Sequence, residues 1–144
     1  MIKMETKEKL DELMTRAVEA ELDGVELFAQ FSIDDIQREY NGIGPEWAGA
    51  TLRDIATEHL AIFEPAALIH DLEVSQSDGT RRGFHYANME FLENCLKLAD
   101  ARYPWYNWRR WRARAVAHVL YDCVRSQGGW VAWTEAQRRN FNKD

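Results

Sequence analysis

The feature of this sequence that most constrains its fold is a pair of polar residues, each set in an otherwise apolar helical stripe. His70 shares a helix face with Ala67 and Val74, because residues three and four apart are neighbours on a helix. Asn88 is the one strongly polar residue of the next stripe, which otherwise consists of Phe84, Ala87, Phe91, Leu92 and Cys95. An unpaired buried polar group costs about 1–3 kcal/mol. We therefore predict that the two helices pack together and that His70 is hydrogen-bonded to Asn88.

Helical periodicity continues through the rest of the chain, and no alternation typical of a β-strand extends beyond a few residues. Ser32 is expected to cap a short helix, Pro65 to begin the His70 helix, and Gly128 to end a long last helix. The predicted class is all-α, with an additional helix on the N-terminal side of the helical core and a long C-terminal helix. Helices are predicted over about 5–22 (with a continuation to Phe31), 32–40, 51–63, 65–74, 81–101 and 105–127.

The charges divide the chain into an acidic body and a basic C-terminal segment. At 144 residues it is long enough for one domain. Residues 1–39 carry 11 acids and 5 bases, residues 40–101 carry 10 acids and 4 bases, and residues 102–144 carry 3 acids and 9 bases. We expect the basic segment to pair with the acidic body. The net charge of −6 creates a field that disfavours nucleic acid as a partner.

The cysteines and the first residues bear on the compartment of the protein. Cys95 and Cys123 each lie among apolar residues of separate helices, so we interpret them as small buried thiols. Residues 1–5 lack the apolar region of a secretory signal. No run of about 18 apolar residues is present, so no membrane span is predicted. These features favour a cytoplasmic protein.

The His70-Asp71 dipeptide is the strongest chemical signal. A metal-dependent phosphohydrolase would also need His59 and Asp122, but His59 is close to His70 and falls on the core stripe of its own helix. The sequence contains no Gly-x-Ser-x-Gly and no phosphate-binding glycine loop. A second use of His-Asp combines a histidine that activates water with an aspartate that binds Ca²⁺. A glycine-rich loop then supplies carbonyl oxygens, which this hard ion prefers.

Three motifs in a fixed order resemble the second arrangement. They are Tyr40-Asn41-Gly42-Ile43-Gly44-Pro45, Ala66-Ala67-Leu68-Ile69-His70-Asp71 and Tyr86-Ala87-Asn88-Met89-Glu90-Phe91. In this order they resemble phage and prophage proteins with a phospholipase A2-like helical core, and also the phospholipase domain of parvovirus capsids. The C-terminal Trp/Arg-rich stretch and Gly128-Gly129-Trp130 are similar to the ends of those phage proteins. The resemblance covers about residues 40–133, leaving 1–39 as an acidic helical extension and 134–144 as a tail.

The resemblance implies a role for each motif residue. His70 would be the general base and Asn88 would orient it. Asp71 would be a Ca²⁺ carboxylate, with carbonyl oxygens from Gly42 and Gly44. Because only one carboxylate is firmly placed, the resemblance implies that any Ca²⁺ binding is weak.

Two functions follow from the resemblance. One is a Ca²⁺-dependent phospholipid or ester hydrolase that uses His70 as its base. The other is a phage-derived accessory or structural protein that keeps the core and a vestigial site, and binds a protein or phage-particle partner. Active phospholipases carry an aspartate where this chain has Asn88 and a tyrosine where it has Val74. These two departures favour the second function.

Tryptophan and arginine recur together near the C-terminus. They are Trp105, Trp108, Trp111, Trp130 and Trp133, with Arg109, Arg110, Arg112 and Arg114, and the first three tryptophans are spaced by three. Such a surface could bind anionic lipid or nucleic acid, through ring stacking and contacts to phosphate. The alternative is that the tryptophans belong to the core and the arginines form a solvated face paired with acidic residues. The spacing favours this second interpretation.

Overall fold

The computed structural model of the protein describes residues 6–40 and 57–142, with 57–59 described by their backbone alone. Within these ranges the chain forms α-helices, one 3₁₀ helix and no strand, which confirms the all-α prediction. The helices are α1 (Lys7–Glu19), the 3₁₀ helix (Val25–Gln30), α2 (Ile33–Glu39), α3 (Thr57–Ser75), α4 (Arg81–Arg102), α5 (Trp108–Val124) and α6 (Gln127–Asn142).

Side-chain caps define where several helices begin. Ser32 Oγ accepts a hydrogen bond from the Asp35 backbone N–H at 3.1 Å, which confirms the predicted cap of α2. Thr80 Oγ1 accepts from the Gly83 N–H at 3.0 Å and starts α4. The first helix ends earlier than predicted, because Glu21 adopts a left-handed conformation with φ of 56°. The chain continues as the 3₁₀ helix and not as an extension of α1.

Helix α3 lies at the centre of the molecule. It packs against α1, the 3₁₀ helix, α2, α4, α5 and α6. Every residue from Pro65 to His70 is buried, so this stretch has no solvent-facing side. A helix that is apolar all round is stable only when other elements cover it. The remaining helices therefore form a layer around α3.

Pro65 lies inside α3, whereas the sequence predicted that it begins a new helix. Proline has no N–H, so the carbonyl of Ala61 loses its usual helical donor. Arg16 from α1 replaces that donor. Its Nη2 donates to the carbonyl oxygens of Ala61 at 3.4 Å and Ile62 at 3.3 Å. A distant side chain thus allows one helix to continue through the proline.

This arrangement predicts that Arg16 and Pro65 are energetically coupled. Arg16→Leu should lower the free energy of unfolding by about 1 kcal/mol, because it removes donors from two part-buried carbonyls. In a Pro65→Ala background the same change should cost less, because the alanine restores a backbone N–H that can reach the Ala61 carbonyl. Urea unfolding of the two single variants and the double variant measures the coupling. Strictly additive effects would contradict this account of the proline.

The C-terminal region forms two helices where one long helix was predicted. The glycines expected to end the helix lie instead in the first turn of α6, which extends to Asn142 through residues assigned to a tail. A Cβ at Gly129 would lie 1.9 Å from the carbonyl oxygen of Val124. Glycine is needed there because the backbones of α5 and α6 nearly touch at this corner. The prediction was wrong because glycine can mark a close approach as well as a helix end.

The tryptophans divide into two groups. Trp133 of α6 is buried against Phe84 and Ala87 of α4, and its Nε1 donates to the Thr80 carbonyl oxygen at 3.0 Å. Trp105, Trp108 and Trp111 instead lie on the surface, with exposed fractions of 73%, 62% and 60%. The interpretation of these three as core residues was wrong. Helix α5 buries its opposite face, which carries Ala113, Val116, Ala117, Leu120 and Val124.

Candidate functional site

His70 and Asn88 meet across the interface between α3 and α4. A short connection joins these helices and reverses the chain, so residues 18 apart in sequence become neighbours. His70 Nε2 lies 2.9 Å from Asn88 Oδ1, and both side chains are buried. The Phe91 ring packs beside the imidazole, with 5.1 Å between ring centroids. The contact expected from the two apolar stripes is therefore present.

The hydrogen bond fixes the chemical form of His70. Because Asn88 Oδ1 can only accept, Nε2 carries the proton and donates, and the lone pair resides on Nδ1. Burial lowers the pKa of His70 from 6.5 to about 4, and the hydrogen bond to Asn88 offsets this only in part. The imidazole is thus neutral at physiological pH. A neutral histidine of fixed tautomer can accept a proton at Nδ1, but the resulting cation is disfavoured.

A cavity of about 320 Å³ adjoins this pair. His70 and Asp71 line it from α3, with Val74 one turn further along the helix. The facing wall comes from the end of α5 and the start of α6, at Cys123, Val124, Ser126, Gly128, Gly129 and Ala132. The sequence offered no means of placing this wall, because the α5–α6 corner was predicted as the end of the last helix.

The predicted Ca²⁺ ligands are only partly described. Asp71 lines the cavity beside His70 and is half-buried. Gly42 and Gly44 lie outside the described residues. Across residues 6–40 and 57–142 no three His, Cys, Asp or Glu side chains are grouped so as to hold a metal ion. Asp71 would therefore need oxygen ligands from elsewhere to form a Ca²⁺ site.

Asn88 is incompletely satisfied. Its Oδ1 accepts from His70, but its Nδ2 is buried and finds no acceptor among the described residues. A carboxylate of the same shape would keep the acceptor and remove the orphan donor. It would also place a negative charge against the imidazole. This position is therefore the one at which a single substitution changes the electrostatics of the site most directly.

Asn88→Asp should raise the pKa of His70 well above its value of about 4, because a carboxylate stabilises the imidazolium and an amide does not. Proton-detected NMR titration of the imidazole signals measures the change. His85 and His118 are exposed and provide internal reference signals. An unchanged His70 titration in the variant would show that Asn88 does not set the electrostatics of the imidazole.

A second buried polar pair lies on the same two helices, and it consists of two acidic residues that the sequence analysis missed. Glu73 of α3 lies beside Glu90 of α4, which is only 9% exposed and whose Oε1 is buried without a hydrogen-bond partner among the described residues. Burial, the adjacent Glu90 and the nearby charge of Glu26 raise the pKa of Glu73 to about 10. At neutral pH Glu73 therefore holds a proton and faces Glu90 as a neutral carboxyl group.

The backbone of Gly24 closes over this pair. A Cβ at Gly24 would lie 2.6 Å from Glu90 Oε1, and the φ of 94° is one that glycine adopts readily. One turn further along α4, Asn94 Oδ1 accepts from the Asp23 N–H, and its Nδ2 donates to the Asp23 carbonyl, both at 2.9 Å. The sequence does indicate where Glu90 and Asn94 lie on α4, because both adjoin the apolar stripe of Asn88 at helical spacing.

The carboxyl pair predicts a specific pH dependence of stability. The pKa of Glu73 is about 10 in the folded protein and near 4.5 in the unfolded chain. Its contribution is therefore fully present below pH 4.5 and is lost as the pH rises towards 10. Glu73→Gln should raise the free energy of unfolding at pH 8 by about 1–3 kcal/mol, because the amide donates to Glu90 without holding a titratable proton.

Urea unfolding of wild type and Glu73→Gln at several pH values between about 5 and 9 tests this. Glu93→Gln is the matched control, because Glu93 lies on α4 and is exposed. The stability gain of Glu73→Gln should grow with pH, whereas the control should show no such trend. A gain in the free energy of unfolding that stays constant across this pH range would contradict a protonated Glu73 in the folded protein.

Comparison with protein-family models, curated proteins and solved structures finds no match to this chain.

Proposed function

We propose that the protein is a phage-derived accessory or structural protein, with a phospholipase A2-like helical core and a vestigial His-Asp site. The observation that carries the proposal is the neutral partner of His70. The imidazole is buried, and its Nε2 is hydrogen-bonded to the amide oxygen of Asn88. The residue that orients the histidine thus lacks the negative charge that base catalysis needs.

The phospholipase A2-like part of the proposal rests on the order of the motifs and is supported by one contact. A His-Asp helix and an Asn-containing helix follow each other and pack in reverse direction, joined by the 2.9 Å hydrogen bond between His70 and Asn88. Nε2 of the histidine makes this bond, which leaves Nδ1 as the basic atom. This is the division of roles expected for a histidine that activates water.

The energetics of proton transfer support the vestigial assignment. A general base works best when its pKa is near the working pH, and the pKa of His70 is about 4. In hydrolases with an aspartate at the orienting position, the carboxylate stabilises the imidazolium formed during the reaction. Asn88 supplies orientation but no charge. A protein with this arrangement would act by binding a protein or phage-particle partner.

A Ca²⁺-dependent ester hydrolase remains the second candidate, because the cavity of about 320 Å³ brings His70 and Asp71 to one wall. In that function Asp71 would hold the ion together with carbonyl oxygens of Gly42 and Gly44. When bound, the ion would stabilise negative charge on the ester oxygen. His70 would take a proton from water at Nδ1, and Asn88 would keep the ring in position.

Hydrolysis of a chromogenic ester and of micellar phospholipid distinguishes the two functions. We expect no activity in wild type, and His70-dependent activity after Asn88→Asp if the cavity can admit an ester. The gain should be about 10²-fold or more over background, as expected when a base recovers its charge partner. Asn88→Asp combined with His70→Ala is the control and should be inactive. Wild-type activity that is abolished by His70→Ala would overturn the vestigial assignment in favour of the hydrolase.

Calorimetry with Ca²⁺ tests the metal part of the alternative. If the hydrolase function holds, weak binding should be detected at millimolar Ca²⁺ and lost in Asp71→Asn, because affinity rises with the number of carboxylate ligands. Asp122→Asn is the control, since Asp122 is exposed and forms an ion pair with Arg125. No heat in wild type would agree with the accessory function.

A further inference from the structure

The corner between α4 and α5 exposes a cluster of large aromatic side chains. Within seven residues, four aromatic side chains expose well over half of their surface: Trp105 (73%), Tyr106 (74%), Trp108 (62%) and Trp111 (60%). Trp105 and Tyr106 lie in the turn before α5, and their rings contact each other edge to face at 5.8 Å. Such a concentration of apolar surface on a folded chain marks a site of interaction.

The sequence around this cluster is rich in arginine. From Ala101 to Tyr121 the sequence has five arginines and no acidic residue. Arg110 and Arg114 share the carboxylate of Asp100, which they contact at 2.9 and 2.8 Å and which offsets one of their two charges. Arg102, Arg109 and Arg112 are exposed and form no ion pair within the described part of the chain. The corner is therefore an aromatic surface with a rim of cationic side chains.

Trp108 and Trp111 share one face of α5 with Arg112, opposite the face that packs on the core. The Arg109 guanidinium lies 5.6 Å from the Trp108 ring centroid and the Arg102 guanidinium 5.0 Å from that of Tyr103. Indole and phenol rings prefer the boundary between hydrocarbon and water, because one part of each ring is apolar and another forms hydrogen bonds. An arginine side chain that starts at the same depth in the bilayer as these rings can extend its guanidinium group to the lipid phosphates.

We propose that this corner, comprising Trp105, Tyr106, Trp108 and Trp111 with Arg102, Arg109 and Arg112, docks the protein on the surface of an anionic lipid bilayer. Charge complementarity selects this occupant, since phosphate and carboxylate headgroups match the arginine rim while the rings enter the headgroup region. The helices of the described residues include none long and apolar enough to cross a bilayer. The association is thus peripheral.

Two other occupants fit less well. A second copy of the chain would place identical arginine rims against each other in a two-fold interface, which is repulsive. A single-stranded nucleic acid would need a positively charged groove that follows its backbone, whereas these aromatic side chains lie on an exposed corner. The surface is also separate from the His70 cavity. That cavity adjoins Val124 at the far end of α5, about 24 Å along the helix from Trp108.

Vesicle flotation with the full chain tests the proposal. Wild type should bind vesicles of mixed phosphatidylserine and phosphatidylcholine, bind pure phosphatidylcholine much less, and lose binding as salt is raised. Its tryptophan emission should shift to shorter wavelength on binding. Trp108→Ser combined with Trp111→Ser should lower the partition coefficient by about tenfold or more. Phe141→Ser is the matched control, because Phe141 is equally exposed at 74% but lies at the end of α6.

A second pair of variants tests the charge. Arg109→Gln with Arg112→Gln should weaken binding to anionic vesicles and reduce its salt dependence, whereas Arg138→Gln with Arg139→Gln on α6 should not. All changed residues are exposed, and circular dichroism checks that the variants fold.

No vesicle binding by wild type, or binding unaffected by the tryptophan variants, would overturn the proposal. The proposal would also be overturned if wild type bound no vesicles but self-associated, or bound an oligonucleotide, in a way that depends on Trp108 and Trp111. The readout does not involve His70, so the outcome is independent of the proposed function.

Discussion

The burial of residues 65–70 of α3 on every side is the constraint on which the rest of the structure depends. A helix in this position exposes none of its central residues to water, so each polar group on it must find a partner in a neighbouring helix. Arg16 supplies donors to the carbonyls left by Pro65, Asn88 binds His70, and Glu90 lies beside Glu73. These three contacts attach α1 and α4 to α3 in one register. Apolar packing alone would permit several registers.

The same burial determines what the His70 site can do. Removing the imidazole from water costs free energy that its hydrogen bond to Asn88 offsets, and it also lowers the pKa of His70 to about 4. Stability is served best by a neutral partner, because no charge is then buried. Base catalysis would need a carboxylate that stabilises the cation. Asn88 gives His70 a hydrogen-bond partner without burying a charge, and the proposed non-catalytic role rests on this neutral contact.

The part of the fold predictable from sequence was the part set by local periodicity and short-range hydrogen bonds. The stripes containing His70 and Asn88 predicted their contact, and Ser32 predicted the start of α2. The failures came from contacts across the chain. Pro65 is tolerated because Arg16 reaches the Ala61 carbonyl from 45 residues away, and Gly129 serves the approach of α6 to α5. The protonation of Glu73 likewise depends on two helices meeting, because the spacing of Glu90 on α4 places it beside the buried stripe without indicating which group of α3 it faces.

The tryptophans of α5 show why spacing alone could not separate a core face from a binding face. Trp108 and Trp111 have the spacing of a buried stripe, but small residues such as Ala113 and Ala117 occupy the side that faces α4 and α3. Small side chains let the helix backbones approach closely and leave no room for indole rings between them. Trp108 and Trp111 therefore lie on the exposed face of α5, next to arginines that form no ion pair with Asp100. Both the aromatic cluster and its positive rim thus follow from the close packing of α5 on the core.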